Sequence, residues 1–109
     1  MIGSGDCYEV AGRIIISADW KVPIFLCHGT VTGQGKVEGV KFGHAWLELK
    51  GIVIDFSNKK REIMPKEKYY KIGKIENVKR YNKIEALRMF SKYKHFGGWE
   101  DEKDKKKKV

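Results

Sequence analysis

The sequence predicts an α+β domain, with an N-terminal helix packed on a small antiparallel sheet of three or four strands and one or two helices towards the C-terminus. Three observations carry this. A cap signal at Asp6 opens a helical stretch. Apolar and polar residues alternate on both sides of Lys50-Gly51. A second cap signal at Asn82 opens another helical stretch. The 109 residues suffice for one core, hence one compact domain over residues 1–100.

Asp6 is a favoured N-cap residue, and Glu9 follows at capping-box spacing, so a helix is expected from Cys7 to about Ser17. Cys7 then takes the first helical position. Ile24 to Thr32 is apolar and β-branched and reads as a strand. Residues 33–39 hold three glycines and read as a loop.

Residues 42–57 are the most informative. A two-residue turn at Lys50-Gly51 pairs Leu49 with Ile52, Leu47 with Ile54 and Trp46 with Asp55. One face is then Ala45, Leu47, Leu49, Ile52, Ile54 and Phe56, wholly apolar. The other carries His44, Trp46, Glu48, Val53, Asp55 and Ser57. A slip of one residue would mix the two sets. In this register His44 and Asp55 are diagonal neighbours within side-chain reach. The Cys7 helix is expected on that same face, because Trp46 and Val53 need cover.

Downstream, Pro65 and Gly73 bracket a short helix through Tyr69 and Tyr70, and residues 75–81 read as a strand. Asn82 and Glu85 form a capping box before a helix over 83–94. Its inner stripe is Ile84, Leu87 and Phe90 or Ser91, with Gly97-Gly98 as the stop. Trp99 is expected to fold back onto the body. The Lys-rich tail, 101–109, predicts disorder.

Composition bounds the function. The longest apolar run, Val22 to Cys27, is six residues, against about 20 for a membrane-spanning helix. The first residues lack a secretory pattern, and two cysteines build no disulfide framework, so reduced thiols and a cytoplasmic location are expected. The formal charge of +9 solvates the surface and permits non-specific contact with nucleic acid.

A thiol is nucleophilic as its thiolate, and a helix N-terminus favours that charge, which singles out Cys7. A base and a group that orients it complete such chemistry, and His44 with Asp55 supplies the pair. Cys27 and His28 point to opposite faces of one strand, so they make a poor metal pair; no metal or organic cofactor is expected.

The runs Gly5-Asp6-Cys7-Tyr8-Glu9-Val10-Ala11, Gly43-His44-Ala45-Trp46-Leu47-Glu48-Leu49 and Val53-Ile54-Asp55 resemble the transglutaminase-like branch of the papain-like cysteine enzymes. The whole chain also resembles small proteins of phage and prophage genomes. The family resemblance implies a Cys7 nucleophile, a His44 base and an Asp55 orienter acting on an amide of a protein or peptide through a thioester. An oxyanion donor is also needed. The Cys7 backbone N–H is one candidate, with Gln34 or Asn58 as side-chain candidates. Trp46 reads as a packing residue first and a substrate contact second. The rival reading is a non-enzymatic basic protein on the same scaffold, contacting nucleic acid or an acidic host protein through its lysines and tyrosines.

Overall fold

The computed structural model describes residues 6–33, 36 and 38–99. Gln34 and the tail at 101–109 lie outside them. Helix α1 (Cys7–Ser17) leads into β1 (Ile24–Thr32), β2 (Lys41–Leu49) and β3 (Ile52–Asp55). A 3-10 turn (Ser57–Lys59) precedes β4 (Glu62–Pro65), α2 (Lys66–Gly73), β5 (Glu76–Tyr81) and α3 (Lys83–Tyr93). The class is α+β. Among the described residues no helix is long and apolar enough to cross a membrane.

The strands form one antiparallel sheet in the order β4-β3-β2-β1-β5. Lys50 and Gly51 both take positive φ, 49° and 80°, so the β2–β3 turn is the type whose twist matches its strands. Leu47 pairs with Ile54 and Leu49 with Ile52, the register that the apolar face dictated. The sheet has five strands where three or four were expected. The extra edge strand, β4, is only four residues long and ends at Pro65, too short to show an alternation.

The two helix caps behave differently. Asn82 is extended (φ −74°, ψ 178°), and its side chain and that of Glu85 exchange the capping-box bonds at 2.8 and 2.9 Å. Asp6 lies near φ −94°, ψ 16° and makes no side-chain cap bond. That backbone is not the extended one a capping residue usually takes, and Glu9 pairs with Arg13 instead, at 2.8 Å. The expected box at Asp6 is therefore not formed. The far end of α1 is held by Lys83, whose ammonium donates to the carbonyls of Ile16 and Ala18. Helix α3 stops at Tyr93 with Lys94 left-handed, before Gly97-Gly98. Its inner face is Ala86, Met89, Phe90 and Tyr93, while Ile84 is 49% exposed.

Two cores flank the sheet. Ala11 and Ile15 of α1 join Ile24, Leu26, Ala45, Leu47, Ala86 and Trp99 on one face. Cys27, Trp46 and Val53 on the other are covered by Tyr69 of α2. This corrects the expectation that α1 covers Trp46 and Val53: its apolar stripe goes to the wholly apolar face, and α2 covers the mixed one. Gly43 permits the approach of α1, since a Cβ there would stand 2.6 Å from the Tyr8 hydroxyl. Trp99 does fold back and is 1% exposed.

Candidate active site

Because β3 ends at Asp55, opposite Trp46 in the continued register, the first half of β2 has no β3 neighbour. The start of α1 and the 3-10 turn take up that margin. Thus Cys7 reaches His44 although the body of α1 lies on the opposite face. A crevice lined by Cys7, Val10, Trp46, Asp55, Phe56 and Ser57 marks the junction and is too narrow for a water molecule.

His44 Nε2 lies 2.9 Å from Asp55 Oδ2, with both side chains buried. The same Oδ2 accepts from the Tyr69 hydroxyl at 2.8 Å. Oδ1 accepts from the Ser57 hydroxyl at 2.6 Å and the Ser57 N–H at 3.1 Å. Burial by itself would raise the Asp55 pKa, but the bond and charge of His44, then Ser57 and Tyr69, hold it well below the carboxylate range. Burial likewise opposes the His44 imidazolium. The Asp55 hydrogen bond and the Cys7 thiol, with the charges of both, outweigh it and raise the imidazole pKa to about 9.

Nδ1 of His44 is buried without an aligned hydrogen-bond partner among the described residues. With Nε2 committed to Asp55, Nδ1 is the ring nitrogen left for Cys7. Cys7 is 1% exposed and opens α1, whose first N–H groups have no intrahelical partner. The structure thus brings together Cys7, His44 and Asp55.

The remaining candidates are placed differently. Trp46 is fully buried, stacks on His44 (centroids 6.3 Å, planes 24° apart) and donates its indole N–H to Glu48 at 3.0 Å. It therefore supports the imidazole from behind. Gly29 makes room for it, since a Cβ there would lie 2.7 Å from the indole edge. Asn58 falls in the 3-10 turn next to Ser57. Cys27 is fully buried, and burial with the neighbouring Glu48 pushes its thiol above the ordinary range, which makes it inert. Glu48 also accepts from Tyr70 and from Arg80 Nε at 3.0 Å. Burial alone would raise its pKa, but these donors and Trp46 keep it ionised.

Sequence reasoning missed Ser57 and Tyr69. Asp55-Phe56-Ser57 does carry a signal, because an Asp side chain readily binds the N–H two residues on. Tyr69 carries none, since only packing of α2 brings its hydroxyl to Oδ2. No protein-family model, curated protein or solved structure matches the chain. Among the described residues no cluster of three or more His, Cys, Asp or Glu could hold a metal ion.

The two buried histidines make opposite pH demands. His28 sits among Tyr8, Trp99 and Tyr81, with ring centroids at 4.8, 4.7 and 5.5 Å, and its Nε2 has no hydrogen-bond partner among the described residues. Burial lowers its pKa to about 4. The unfolded chain therefore binds a proton first, and stability falls as pH drops from about 6.5 to 4, by roughly 3 kcal/mol. His44 is raised, so its contribution is complete below about 6.5 and is lost as pH rises through 9. Urea denaturation from pH 4 to 9.5 is expected to show a stability maximum near pH 6.5. His28→Phe, which keeps an aromatic ring there and removes the titrating group, is expected to flatten the acid limb between pH 6.5 and 4. An unchanged acid limb would exclude His28 as its source.

Proposed function

We propose that the chain is a thiol hydrolase or acyltransferase acting on an amide, with Cys7 as nucleophile, His44 as acid–base and Asp55 as orienter. The observation that carries the reading is the buried 2.9 Å contact of His44 Nε2 with Asp55, which leaves Nδ1 to Cys7 at the start of a helix. The order Cys, His, Asp on helix, strand and strand fits the transglutaminase-like branch of the papain-like enzymes.

Cys7 attacks as the thiolate, its proton having passed to His44. The C–S bond forms, and negative charge develops on the carbonyl oxygen, where the Cys7 backbone N–H is a candidate donor. Collapse breaks the C–N bond, and His44 gives its proton to the leaving amine. Water or a second amine then attacks the thioester, loses a proton to His44, and releases Cys7. Asp55 holds the tautomer in which Nε2 carries a proton throughout. Because Cys7 is 1% exposed, an acyl donor must part the crevice to reach it.

Iodoacetamide alkylation of each thiol from pH 4 to 10, read by peptide mass spectrometry, tests this. Cys7 is expected to react in mildly acidic solution and to lose that reactivity in His44→Ala, while Cys27 stays unmodified. A Cys7 that is inert, or indifferent to His44, removes the enzyme reading.

A further inference from the structure

The Asp55 oxygen that binds His44 has a second donor, the Tyr69 hydroxyl, at almost the same distance, 2.8 against 2.9 Å. Tyr69 is 9% exposed, comes from α2 and packs its ring on Trp46 at 5.5 Å. The next residue, Tyr70, packs on the same indole at 5.9 Å, but its hydroxyl goes to Glu48. Two adjacent tyrosines thus divide two buried carboxylates between them.

We propose that Tyr69 is a positioning residue: its hydroxyl fills the second acceptor place on Asp55 Oδ2, fixes the rotation of the carboxylate and limits how strongly it pulls on the imidazole. Ser57 anchors Oδ1 from the chain side, and Tyr69 anchors Oδ2 from the α2 side. An anion that shares its charge between two donors is a weaker acceptor for each. Without the Tyr69 hydroxyl, the carboxylate would bind His44 alone at Oδ2 and hold its proton harder. A base that holds its proton too hard is a poor acid for the leaving amine. Tyr69 therefore tunes the pair towards proton transfer. The groups whose charge or titration bears on the pair are Cys7 of α1, Asp55 of β3, Tyr69 of α2 and, through Tyr69, Glu62 of β4. The catalytic consequence rests on the proposed acyl-transfer reading; the effect on proton affinity does not.

The test is an NMR titration of the His44 imidazole in the full chain, which needs no substrate. Tyr69→Phe is expected to raise the His44 midpoint from about 9 by roughly half a pH unit or more. Tyr70→Phe is the matched control on the same helix and is expected to leave the midpoint in place. A 3-fluorotyrosine installed at position 69, a stronger donor of the same shape, is expected to lower it, and this arm stands if Tyr69→Phe fails to fold. A midpoint unmoved by the changes at 69, or moved equally by Tyr70→Phe, overturns the inference. Shifted midpoints with an inert Cys7 would uphold it and remove only the enzyme reading.

Discussion

Asp55→Asn is expected to bring the His44 midpoint down from about 9 to about 6.5 or below, the ordinary imidazole value, and to abolish rapid alkylation of Cys7. Burial already disfavours the imidazolium, and Asp55 supplies both a bond and a charge against it. Ser57 donates twice to Oδ1, so the asparagine carbonyl settles there and its NH2 faces His44 and Tyr69. Nε2 must then accept, the ring proton moves to Nδ1, and the nitrogen facing Cys7 can no longer take a proton. The substitution leaves the shape of the site but reverses the tautomer. It also breaks a buried pair, at a cost of roughly 3–5 kcal/mol. Imidazole NMR and urea denaturation read the two effects separately. A midpoint still near 9 would mean that Asp55 does not set the charge of His44.

Trp99→Ala is expected to destabilise the chain by about 3–5 kcal/mol in urea denaturation while leaving the His44 midpoint unchanged. Trp99 is 1% exposed and lies within 6.4 Å, centroid to centroid, of the rings of His28, Tyr81, Phe90 and Tyr93. Its indole N–H donates to the His95 carbonyl at 3.0 Å. The segment after α3 is thereby fastened across the apolar face, and truncation leaves a large void beside His28. His44 and Asp55 lie on the opposite face of the sheet, with α2. A loss below about 1 kcal/mol would show that the segment is only loosely docked.

Much of the site is legible in the sequence. His44 and Asp55 could be placed on one face because side chains alternate with period two and only one register keeps Leu47, Leu49, Ile52 and Ile54 together. The Asn82 cap was legible because its partner is three residues away. The same signal failed at Asp6, where the sequence spacing is identical but the backbone enters the helix at another angle. The stripe of α3 was misplaced because Ile84 looks buried by composition, while the available space lies over Ala86.

What the sequence determined by itself is therefore local: the helices, the hairpin and its register, and the thiol at the start of α1. Each follows from periodicity, turn chemistry or a cap position within a few residues, although at Asp6 the position holds without the capping bonds. The tertiary structure decided which face α1 covers, how Cys7 reaches round the end of β3, and which distant groups complete the site. Tyr69 meets Asp55 across 14 residues and Arg80 meets Glu48 across 32. No residue spacing encodes such contacts, because they depend on where α2 and β5 come to rest once two cores compete for apolar surface.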